Sequence, residues 1–284
     1  AGEEGGRSVF RYEWKKLLHY RRGGLLIALF LLAELLGLLL FTQPYDKVLE
    51  ENRAVYDSYL ALVEGPLTED SRVYIEGEMD RLNTVHRQME RLKTDYYSGV
   101  VTEEEFRTGF EDLVDDDSAY TGFARLYRQY IFVRETEIRS FLYTGGWEVL
   151  LGNREPDYLF LLLLVFLLTP VFCQEYGSQM DQILLTQKKS SQCQWQVKVL
   201  TALTLTAVLT AVLQLFRLGY CAVVYGLPHW DYTLQSLNSF GTTEKIMPLW
   251  QAFLLQFALK EIGYLYCAVI ILFLSVFSRS LTWL

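Results

Sequence analysis

Cysteine and histidine are scarce in this chain: four of one and three of the other among 284 residues. The cysteines, Cys173, Cys193, Cys221 and Cys267, all lie outside residues 44–157, so that acidic stretch is not a disulfide-stapled secreted domain. Their spacings fit no zinc or redox motif, and small apolar filler is the reading they support. His19, His86 and His229 are too scattered to build a metal site. No G-x-x-x-x-G-K-[ST] occurs, so this chain cannot hold nucleotide phosphates as a P-loop does. No Ser or Cys has a partnered base in the sequence. Glu103-Glu104-Glu105 reads as favourable charge at a helix N-terminus, not as an acid–base pair. These absences argue against an enzyme.

Apolar residues are abundant. They make up 51% of the chain, aromatics 15% and charged residues 21%, and the charges cluster between apolar runs. The net charge is −8, but residues 44–157 hold 25 acidic against 13 basic side chains, a balance of −12 that leaves +4 for the remainder. An acidic region on a basic framework excludes nucleic acid as a partner and points to the lipid bilayer. About 20 helical residues cross about 30 Å of hydrocarbon. Four apolar runs approach that length, at 24–41, 158–173, 199–225 and 249–277, the second short and the last longer than one bilayer needs. The first is not a signal peptide, because it is long, contains Glu34 and lacks a small-residue cleavage site. The expectation is an all-α integral membrane protein. Four transmembrane helices are visible, with a helical extracytoplasmic domain, 44–157, between the first and second.

Orientation follows from the basic residues. Arg7, Arg11, Lys15, Lys16, Arg21 and Arg22 precede the first run, Lys188, Lys189 and Lys198 lie between the second and third, and Arg279 follows the fourth. The positive-inside rule puts the N-terminus, 174–198 and 278–284 in the cytoplasm, and 44–157 and the loop 226–248 outside, in a multi-pass protein of the cell membrane, bacterial in type. Within 1–22, Phe10, Trp14, Leu17 and Leu18 share one side of a helix while Arg11, Lys15 and Arg22 keep to another. That is the pattern of an amphipathic helix on the inner membrane surface.

The outer segment reads as a helical hairpin. Ile75, Met79, Leu82, Val85, Met89, Leu92 and Tyr96 form a seam. Ser98-Gly99 ends that helix, and Thr102 with Glu105 forms a capping box for the next. Phe106, Phe110, Leu113, Tyr120, Phe123, Tyr127 and Ile131 make the returning face. Trp147 is expected at interfacial depth where the chain re-enters. Four ionisable residues fall inside the apolar runs, Glu34, Arg217, Lys260 and Glu261, and such groups face protein or water. Either Glu34 and Arg217 pair or they act separately. At about 1.5 Å rise per residue their depths differ by about 12 Å if the two helices start level. That favours Glu34 facing a polar interior and Arg217 snorkelling outward.

The layout resembles the membrane subunits of ATP-binding-cassette exporters, the ABC type-2 permease family. "FRYEWKKLLHYRR" is similar to an elbow helix before the first span, and a large outer domain follows that span. Glu175, Gly177, Ser178, Leu184, Leu185 and Thr186 resemble a Glu-x-Gly-[Ser/Thr]…Leu-Leu-x-[Ser/Thr] coupling segment, and basic Lys198 leads into the third run. The resemblance implies that 174–198 docks on a separate ATPase subunit, present in two copies, which would hold ATP and Mg. It further implies a dimer with a second permease copy or a homologous permease, with no cofactor on this chain. Tyr176, Met180, Ile183 and Leu184 give that helix an apolar face, rimmed by Glu175, Asp181, Lys188 and Lys189. The family typically has six spans, the chain has no initial Met, and Leu281-Thr282-Trp283-Leu284 reads as the start of another apolar element, so the expectation is a fragment, with a shortened permease as the alternative. A membrane sensor or scaffold with a ligand-binding helical ectodomain is the alternative function.

Overall fold

The computed structural model describes residues 10, 14–15, 23–41, 53–152, 157–171 and 191–277, and these are mostly helical. In chain order the elements are α1 Gly23–Phe41, α2 Arg53–Val63, β1 Gly65–Pro66, α3 Glu69–Tyr97, α4 Glu103–Val133, β2 Ser140–Phe141, α5 Gly145–Gly152, α6 Tyr158–Leu168, α7 Ser191–Val224 and α8 Leu249–Phe277. Two 3-10 turns, Leu234–Ser236 and Asn238–Phe240, lie between α7 and α8. The chain divides into two compact units. The first gathers α1, α6, α7 through Tyr220 and α8 from Phe253, and the second holds 53–152 and 221–252.

The first unit is built on Leu-rich helices, mostly apolar around their circumference. Phe30 of α1, Leu164 and Leu168 of α6, Leu205 of α7 and Ala268 of α8 meet in one core, and Trp14 packs against it. A polar cluster described below and a row of buried polar residues on α7 interrupt that core.

The sequence-based expectation of four transmembrane helices is corrected here. Among the described residues two helices are long and apolar enough to cross a membrane, Trp195–Val224 with 30 residues and Leu249–Val276 with 28. The apolar stretches Gly23–Gly37 and Tyr158–Leu168 are shorter. At about 1.5 Å rise per residue, the 11 residues of α6 span only about half of a 30 Å hydrocarbon layer. The two long helices are consistent with a membrane protein. The 191–198 part of the expected cytoplasmic segment is already helix, because α7 begins at Ser191.

The second unit packs buried aromatic and polar groups in the manner of a water-soluble domain. Its centre is the α3–α4 pair. Glu76 accepts from Tyr130 Oη, Arg81 meets Asp116, and Tyr96 stacks on Phe106; as one number rises the other falls, so the helices are antiparallel. Ile75, Leu82 and Met89 are fully buried at seven-residue spacing, as the seam requires. Gly99 makes the turn at φ 77°, a conformation glycine adopts without steric cost. Thr102 then caps α4: its N–H and hydroxyl donate to Glu105 Oε2 at 3.0 and 2.7 Å, and Glu105 N–H donates back to Thr102 Oγ1. The buried face of α4 differs from the expected one. Ile131 is 39% exposed, and Phe123, Leu126, Tyr130 and Val133 are the buried set. The reason is α2, which the periodicity did not reveal. It lies against α4 through Tyr59 on Phe123 and a 2.7 Å hydrogen bond from Tyr56 Oη to Gln129 Oε1.

Two further features depart from the all-helical expectation. A two-residue antiparallel ladder pairs Gly65 with Phe141 and Pro66 with Ser140. Trp147 of α5 is fully buried rather than interfacial: its Nε1 donates to Pro228 O at 2.8 Å and its ring meets Trp230 edge-on. Gly146 beside it allows this closeness, because a Cβ there would lie 2.1 Å from Gly226 O.

Candidate functional site

Four elements of the first unit bring charge to one buried point. Glu34 sits on α1, Arg217 on α7, Lys260 and Tyr264 on α8, and Asp157 immediately before α6. Asp157 occupies the N-cap position but makes no side-chain capping bond, so its carboxylate is available to the interior. Its exposure is 9% and that of Glu34 is 7%.

Arg217 organises the cluster. Its Nε donates to Glu34 Oε1 at 2.8 Å, with Nη2 on the same oxygen, while Nη1 lies 2.7 Å from Asp157 Oδ1. The other oxygen of Asp157 accepts from Tyr264 Oη at 2.7 Å and lies 3.7 Å from Lys260 Nζ. Two carboxylates and two cations balance. Burial of an ion costs several kcal/mol, so such groups persist in an apolar unit only when paired and hydrogen-bonded. An aromatic row backs the cluster, with Phe160 edge-on to Tyr264 at 4.7 Å and Phe30 at 5.7 Å from Phe160.

Three of the four intramembrane residues singled out from the sequence therefore converge. The depth argument that separated Glu34 from Arg217 is overturned by their direct ion pair, because the two helices need not start level. Glu261 stands apart, its buried Oε2 without a hydrogen-bond partner among the described residues. Asp157 and Tyr264 were not found by sequence reasoning. The available signal was an acid directly preceding an apolar run, with no capping motif to use it.

Of the elbow residues, Phe10 and Trp14 stack at 6.1 Å and Lys15 is exposed, while Arg11, Leu17 and Leu18 lie outside the described residues. So do all the coupling residues: Glu175, Tyr176, Gly177, Ser178, Met180, Ile183, Leu184, Leu185 and Thr186. Among the described residues no group of three or more His, Cys, Asp or Glu is placed to hold a metal. In the second unit, His86 and His229 each meet a carboxylate, Asp117 and Glu64, at 2.7 Å. There, burial pushes the Tyr59 hydroxyl up to about 12, and Arg81 bonded to Glu78 holds that carboxyl below its ordinary value.

No protein-family model, curated protein or solved structure matches this chain.

Proposed function

We propose that this chain is the permease subunit of an ATP-driven exporter. The observation that carries the reading is the charge-balanced cluster of Glu34, Arg217, Asp157 and Lys260, buried where long apolar helices meet. Ionisable groups in such surroundings are costly and mark substrate or ion pathways. The cluster spans four elements, so a shift of any one helix changes its pairing, which is what a driven conformational cycle needs.

In this reading the protein resides in a bacterial cell membrane. Lys188, Lys189 and Lys198 mark the cytoplasmic side together with the N-terminal basic residues, and the loop 226–248 faces outside. Residues 174–198 dock on a separate ATPase subunit, which binds ATP and Mg and is present in two copies. A second permease copy, or a homologous permease, completes the pathway.

The test is purification of the tagged chain from its native membranes, followed by assay of ATP hydrolysis in the isolated complex. Co-purifying hydrolysis that disappears in Leu184→Asp, with membrane insertion unchanged, supports the proposal. Hydrolysis that is absent from the wild-type complex, or unaffected by Leu184→Asp, overturns it.

A further inference from the structure

Along α7, Thr206, Thr210, Gln214 and Arg217 follow steps of four, four and three, which set them on one face of the helix. That face is interior: Thr206 and Thr210 are fully buried and Gln214 is 5% exposed. Each threonine hydroxyl donates one turn back, Thr206 to Ala202 O at 3.0 Å and Thr210 to Thr206 O at 2.9 Å. A hydroxyl that has donated still offers acceptor lone pairs, so the face presents a row of acceptors. Gln214 presents the complement. Its buried Nε2 has no hydrogen-bond partner among the described residues, and an unmet buried donor costs about 1–3 kcal/mol.

The spacing supplies the remedy. Side chains four apart on a helix have Cβ atoms about 5–6 Å apart, a span that one water bridges between two threonines, and Gln214 Nε2, though longer in reach, makes no direct bond to Thr210. Buried waters are found where they meet two to four polar partners, and they satisfy groups the protein leaves unmet. In a helix apolar enough to cross a membrane, a polar face of this length is also costly unless protein or water meets it.

We infer that this face of α7 is a hydrated lane. Water bridges Gln214 Nε2 to Thr210 Oγ1 and Thr210 to Thr206, and the lane delivers solvent to Arg217 and its partners Glu34 and Asp157. The charge cluster is thereby in contact with water along the helix rather than sealed in the apolar core, and protons have a route to it. The inference does not depend on an ATPase partner and stands or falls within the first unit.

Cysteine reactivity tests it, because alkylation proceeds through the thiolate, which forms only where water reaches the sulfur. With the four native cysteines changed to alanine, Thr210→Cys is compared with Leu205→Cys, a buried apolar position on the same helix at 2% exposure. Iodoacetamide should alkylate the first at least about tenfold faster than the second. Equal, slow rates, with Ser98→Cys reacting rapidly as the exposed reference, overturn the lane. Should the cysteine variants fail to fold, the unsubstituted protein decides. Brief X-ray radiolysis in heavy-oxygen water should oxidise Leu213, 1% exposed and next to Gln214, while leaving Leu164 of α6 unmodified. No oxidation at Leu213 overturns the inference.

Discussion

Arg217 Nε donates to Glu34 Oε1 at 2.8 Å, joining residues 183 positions apart in the chain. Nη1 of the same guanidinium holds Asp157, so a single side chain ties α7 to both α1 and the start of α6. Removing Arg217 leaves two buried carboxylates facing each other without their shared cation. Arg217→Leu should cost about 3–5 kcal/mol. Glu34→Gln added to it should recover part of that loss, because it removes one orphaned charge. Thermal denaturation of the two variants measures this; a double variant no more stable than Arg217→Leu would show the pair to be energetically uncoupled.

Tyr264 Oη donates to a buried, charged acceptor, and charge-assisted bonds are worth more than neutral ones. Tyr264→Phe keeps the edge-on contact with Phe160 and deletes only that bond, at an expected cost of about 1.5–3 kcal/mol. Denaturant midpoints at constant slope read the difference.

Gly146 faces the Gly226 carbonyl with no room for a side chain. Gly146→Ala should force α5 away from the 226–230 segment, destabilising the second unit by about 1–3 kcal/mol. The hydrogen bond from Trp147 to Pro228 should weaken with it, seen as a red shift of tryptophan emission. An alanine variant with unchanged emission and midpoint would contradict the close approach.

The second unit should lose stability in acid. The hydrogen bond from Arg81 lowers the Glu78 carboxyl, and the bonds from Thr102 lower Glu105. For a carboxyl depressed on folding, the stabilisation is present above its unfolded value, about 4.3, and is lost as pH falls through the folded value. Hydrogen-exchange protection factors, corrected for the intrinsic rate at each pH, should therefore fall in α3 and at the start of α4 below about pH 4. Thr102→Ala should reduce this dependence at the α4 terminus and cost about 1 kcal/mol at neutral pH.

Orientation has its own test. In intact cells, with the native cysteines removed, a membrane-impermeant thiol reagent should label Thr242→Cys, in the loop between the two long helices, and not Ser190→Cys, on the other side of α7. The reverse pattern would place the basic segments outside.

Much of the helical framework is local chemistry and was legible in the chain. The three- and four-residue steps through Ile75, Leu82 and Met89 fix which side of α3 turns inward, the Thr102–Glu105 box starts α4, and the continuous apolar run 249–277 coincides with α8. These signals lie within a few residues of one another, so backbone geometry alone converts them into structure. Which buried groups meet is a different matter. Sequence periodicity gives the direction a side chain leaves its helix but not the axial offset between helices. Taking Val199 and Gly24 as level therefore separated Glu34 from Arg217, which the packed helices bring together. Asp157, Tyr264 and the buried Trp147 were hidden for the same reason, as each acquires its role from a partner far away in the chain. The run at 158–173 was read as a span although short for one, and α6 ends at Leu168, because apolar composition permits a crossing without setting where the helix stops.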